Sequence, residues 1–91
     1  MDSADATASG LPYPVLAVAG AAPVTLEQFV GQTTFTVDKS GAESSVRGVG
    51  ARDGEAVRFQ EKADGDGKDT RVWQIREGAE GSFTAATVST Y

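Results

Sequence analysis

Val46–Glu61 reads VRGVGARDGEAVRFQE, and the fold turns on this stretch. At its centre Asp53-Gly54 is a turn dipeptide. A two-residue Asp-Gly loop favours the type I′ turn, whose twist matches that of the two strands it joins. Such a turn sets a register in which Arg52 faces Glu55, Gly50 faces Val57, Gly48 faces Phe59 and Val46 faces Glu61. Because side chains alternate along a strand, Val46, Val57 and Phe59 share one face with the two glycines. Arg47, Val49, Arg58 and Gln60 share the other, solvated face. Gly48 and Gly50 are weak strand formers, but they leave room for Val57 and Phe59 to lie over the backbone.

The same reading extends in both directions. Upstream, Thr33–Val37 (TTFTV) is dense in β-branched and aromatic residues, and Asp38-Lys39-Ser40-Gly41 closes it with turn chemistry. Downstream, Ala63–Asp69 (ADGDGKD) is a loop. Thr70–Arg76 (TRVWQIR) then alternates, with Arg71, Trp73 and Ile75 on one side and Val72, Gln74 and Arg76 on the other. Glu77–Gly81 forms a further loop before the Thr-rich strand Ser82–Tyr91 (SFTAATVSTY). The expectation is a mainly β domain, a small antiparallel barrel or sandwich of about five strands in a meander.

Ahead of the strands lies one short helix. Thr25 and Gln28 have capping-box spacing, Leu26, Phe29 and Val30 fall on one helical face, and Gly31 supplies a left-handed stop. Residues 1–24 read differently from residues 25–91. Met1–Gly10 is small and polar, a composition that cannot offset its own ordering entropy. Leu11–Val24 is apolar and carries Pro12, Pro14 and Pro23, which bias the chain to extended geometry. The division expected is an extended N-terminal arm, 1–24, and a β domain, 25–91.

Composition narrows the functional classes. The chain has 91 residues, enough for one small domain. It holds no cysteine and no histidine, so the residues of Cys/His zinc sites and of Ser-His or Cys-His dyads are missing. With 8 basic against 13 acidic residues, the net charge of −5 repels nucleic acid and anionic membranes. No apolar run approaches the ~20 residues of a membrane-spanning helix. The absence of Lys or Arg before Lys39 argues against a secretory leader, so synthesis in the cytoplasm is expected.

Motifs of chemistry are sparse. Asp64-Gly65-Asp66-Gly67-Lys68-Asp69 suggests a calcium loop, but Lys68, Asp69 and Ile75 fall where an EF-hand needs an oxygen ligand, a glycine and a bidentate Glu. It reads as a solvated acidic loop. Glu55, Glu61, Glu77 and Glu80 adjoin turns or exposed faces, and nothing in their spacing marks two as sharing a pocket. No glycine-rich stretch leads into a phosphate-binding Lys. The expectation is therefore no catalytic residue, no metal, no cofactor and no small-molecule substrate.

What the sequence offers instead is an apolar arm of the sort that lies in a partner's groove or adds to a sheet edge. The expected interface is Leu11, Pro12, Tyr13, Pro14, Val15, Leu16 and Val18, with Arg71, Trp73 and Tyr91 as a second contact surface. The functional expectation is a non-enzymatic structural or binding subunit of a symmetric protein assembly, most concretely a small component of a tailed-phage-type particle. Its partners would be other protein subunits, as a homo- or hetero-oligomer, with no nucleic acid and no membrane. The alternative is a small acidic adaptor or inhibitor that caps a basic site on another protein.

Overall fold

A computed structural model describes residues 12–62 and 71–88. Six strands run in sequence order around a closed antiparallel barrel. They are β1 (Tyr13–Val18), β2 (Gly31–Lys39), β3 (Ala42–Asp53), β4 (Ala56–Glu61), β5 (Val72–Glu77) and β6 (Phe83–Val88). Short 3₁₀ turns at Leu26–Phe29 and Ala79–Gly81 precede β2 and β6. The mainly β, barrel expectation holds, with one strand more than the sequence reading counted.

The additional strand comes from the segment read as an arm. Tyr13–Val18 pairs with β2 through Val15↔Val37, Ala17↔Thr36 and Val18↔Phe35. Its other edge meets β6 at Tyr13↔Ala85 and Pro14↔Thr84. The closed sheet therefore begins at Tyr13, not at Thr25. The physical reason is that a terminal strand closing a barrel removes two open edges at once. Its one proline, Pro14, is tolerated because the β1–β6 ladder is only two pairs long.

The central hairpin forms with its faces as read and its register moved by two. Asp53 pairs with Ala56, Arg52 with Val57, Gly50 with Phe59 and Gly48 with Glu61. The loop is Gly54-Glu55: Gly54 takes φ +66°, and Glu55 is not among the positive-φ residues. This is the pattern of a type II′ turn, with glycine first, not the type I′ turn expected of Asp-Gly. An even shift keeps every side chain on its face, so Val46, Val57 and Phe59 are buried as expected. The β2–β3 turn has two left-handed residues, Ser40 (φ +55°) and Gly41 (φ +96°), as does the Ala19-Gly20 turn after β1 (φ +51° and +76°). In the β2–β3 turn the Asp38 carboxylate accepts from the Gly41 N–H at 2.7 Å.

The two hairpin glycines are sterically required. A Cβ on Gly48 would fall on the Gln60 carbonyl oxygen and within 2.8 Å of the Phe59 ring. On Gly50 it would fall on the carbonyl oxygen of Phe29 and lie 3.0 Å from Val57. Gly50 thus admits the 3₁₀ turn that plugs this end of the barrel. That turn is shorter than the helix expected. With three residues per turn, Leu26 and Phe29 line up and are buried, whereas Val30 rotates out and is 39% exposed.

The lumen is filled by aromatic rings. Phe35 stands at the centre, edge-on to Phe29, Phe59 and Trp73 at centroid distances of 5.9, 4.9 and 5.7 Å. Phe29 continues the stack to Phe83 at 5.8 Å. All four Phe and the single Trp of the chain enter one core. Large rings compensate for the small number of bulky side chains, and each such pair contributes roughly 0.5–1.5 kcal/mol beyond area burial.

Candidate binding surfaces

The arm residues divide by the strand's alternation, which the bulge at Leu16 resets so that Val15 and Val18 share a face. Val15 and Val18 point into the lumen and are buried, and Tyr13 is half-buried against the core. These three therefore belong to the barrel's own packing and do not form a face open to a partner. Leu16 is the extra residue of a bulge between Val15 and Ala17, and it is 42% exposed. Pro12 and Pro14 are exposed, and Leu11 lies outside the described residues. Of the second surface, Arg71 is exposed, Trp73 is sealed in the core and Tyr91 lies outside the described residues. The acidic loop residues Asp64, Asp66 and Asp69 also lie outside them.

One end of the barrel carries an apolar surface that the sequence reading did not assemble. After β1, Val18 and Ala21 exchange backbone hydrogen bonds at 2.9 Å around the turn Ala19-Gly20. Gln28 then fastens the following segment. Its Oε1 accepts from the N–H of Val24 at 2.5 Å and of Thr25 at 2.8 Å, and its Nε2 donates to the Ala22 carbonyl at 3.1 Å. The staple leaves Ala19, Gly20, Ala21 and Ala22 exposed and Val24 69% exposed, with Val30 just beyond. No charged residue occurs between Asp5 and Glu27.

Beside this end the surface becomes charged. Thr25, Leu26, Glu27, Arg52, Glu55, Arg76 and Glu77 surround an open cleft of about 510 Å³. Arg52 bridges to Glu27 at 3.0 Å and also donates to the Gly54 carbonyl at 3.1 Å. Arg76 Nε donates to the Gln74 side chain at 3.1 Å. Glu55 and Glu77 thus share a cleft, which linear spacing did not reveal because β3–β4 and β4–β5 pairing brings them together. A smaller cleft of about 400 Å³ lies on the β2–β3 wall, between Gln32, Thr33, Thr34, Arg47, Gly48 and Lys62.

The opposite mouth is closed by polar contacts. The Trp73 indole N–H donates to Glu61 Oε1 at 3.1 Å. The Lys39 ammonium stands 5.8 Å from the ring centroids of both Tyr13 and Trp73, a cation–π arrangement. Lys39 and Glu61 were legible as inward positions, since they continue the alternation of Phe35 and Val37 and of Val57 and Phe59. A buried Trp needs a partner for its N–H.

No group of three or more metal-ligating side chains occurs among the described residues. None of their helices is long and apolar enough to cross a membrane. Comparison of the chain with protein-family models, curated proteins and solved structures finds no match.

Proposed function

We propose that this protein is a non-enzymatic structural or binding subunit of a larger protein assembly, docking through the uncharged end of its barrel. The reading rests on one observation: Val24 and Val30 remain 69% and 39% exposed beside the exposed, uncharged residues Ala19, Gly20, Ala21 and Ala22. Apolar surface held in place by backbone hydrogen bonds loses little entropy on docking. Contiguous apolar surface rimmed by charge is also the usual mark of a protein contact. A symmetric particle of the tailed-phage type, with small β proteins decorating or linking capsid subunits, is the concrete assembly in this reading.

The test is sedimentation velocity of the full chain over a wide concentration range, together with its sedimentation in native extract. In this reading the wild-type chain travels in a species far larger than 9.4 kDa. The Val24→Asp/Val30→Asp variant, altered only at exposed positions, is expected to be released as a folded monomer with an unchanged circular dichroism spectrum. A wild-type chain that is monomeric in both settings would overturn the reading.

A second reading, an acidic adaptor capping a basic site, draws on Glu27, Glu55 and Glu77 around one cleft. It predicts binding that weakens steeply with salt, since exposed charges are screened over about 10 Å at 0.1 M. Docking through the apolar end is expected to be nearly insensitive to salt.

A further inference from the structure

We infer that β1 exchanges between two copies of this chain, Tyr13–Val18 of one copy completing the barrel of the other. Three independent features of the strand carry this. The first is its seam. β1 meets β6 through two residue pairs, one of them Pro14, which has no N–H to give. On the other side its pairing with β2 is interrupted by the bulge at Leu16.

The second feature is the start of the connection, residues 19–30, that leads from β1 to β2. The turn after Val18 is two residues long, and its first residue is Ala19 at φ +51°. A left-handed alanine is strained, because its Cβ crowds the backbone. Opening the turn into an extended link removes that strain once in each chain, and local strain at a hinge favours exchange.

The third feature is what the strand carries. Val15 and Val18 are core residues and Tyr13 packs beside them, so a released β1 has a strong apolar drive to be buried again. The site that fits it is its own vacated groove. An identical copy offers that groove with every contact of the closed monomer, so exchange leaves the core unchanged and alters only the hinge. The hinge is the Ala19-Gly20 turn of the uncharged end, but the inference stands apart from the docking reading, because exchange is read from the pairing of β1 with β6 and docking is not.

The experiment uses the absence of cysteine from the chain. Pro14 and Thr84 are paired across the seam, so a Pro14→Cys/Thr84→Cys variant reports which β6 each β1 lies on. Isotope-labelled and unlabelled full-length chains are mixed at high concentration, partly unfolded in urea, refolded and oxidised. Mass spectrometry then identifies the crosslinked peptides. The expected result is a covalent dimer joining position 14 of one chain to position 84 of the other. Crosslinks confined to single chains, whether the protein is monomeric or dimeric, would overturn the inference.

Should the double variant fail to fold, the hinge provides a separate reading. Ala19→Gly removes the left-handed strain, and the dimer association constant measured by light scattering is expected to fall about tenfold. No dimer in the wild-type chain, or a dimer unaffected by Ala19→Gly, would refute it.

Discussion

The β2–β3 hairpin and the β1–β6 seam are parts of one sheet, yet they are held very differently. The hairpin joins nine consecutive residue pairs around a two-residue turn. The seam joins two pairs from strands that are far apart in sequence. Closing a short hairpin costs little chain entropy, whereas bringing Tyr13 to Ala85 closes nearly the whole chain into a loop. The barrel is therefore a firmly built meander, β2 to β6, with a first strand laid into the remaining gap. Core burial fixes β1 in place more than its ladder does, and this is why exchange of that strand is physically accessible.

The contrast can be broken most strongly at its shared centre. Phe35 lies on β2 and touches rings from β4, β5 and the 3₁₀ turn. Phe35→Ala is expected to cost about 4 kcal/mol in denaturant unfolding and to loosen both regions together. Gly50→Ala acts on the firm side. Its Cβ meets the Phe29 carbonyl oxygen, so the plug must lift, at a cost of about 3 kcal/mol. The signature that separates it from simple core damage is loss of protection at Leu26–Phe29 before loss of the β2–β3 ladder.

Hydrogen exchange on the native protein measures the contrast itself. Amides of β1 are expected to exchange at least ~30-fold faster than those of Phe35–Val37, through opening of the seam below the global unfolding free energy. Equal protection in both would remove the distinction. Gln28→Ala cuts the staple to Ala22, Val24 and Thr25 and is expected to cost about 1 kcal/mol, read from the thermal midpoint. Arg52→Ala is expected to change stability by less than about 0.5 kcal/mol, because its bridge to Glu27 lies between side chains 45% and 67% exposed.

Local signals in the sequence proved informative wherever the interaction was local. The strands at Thr33–Val37 and around Trp73 and the placement of Val46, Val57 and Phe59 followed from alternation. The role of Gly48 and Gly50 and the Thr25–Gln28 cap followed from spacing. The turn at Gly54 was placed two residues out in register because Asp-Gly suits the type I′ turn, whereas the strand pairing places Gly54 first in its loop. Of the residues proposed for binding, Leu16 remains outward, while Val15, Val18 and Trp73 entered the core. An apolar strand looks the same in sequence whether its groove belongs to another molecule or to its own barrel.

The sequence by itself determined a small antiparallel β domain, its buried and solvated faces, and a chemistry without histidine or cysteine. These follow from composition and period, which act over a few residues. Only the tertiary structure decided that Tyr13–Val18 closes the barrel, that Glu55 and Glu77 share a cleft, and that Val24 and Val30 remain uncovered at one end. Each of these depends on which distant strands meet, and that is set by filling the lumen with five large rings. No spacing along the chain records how those rings pack.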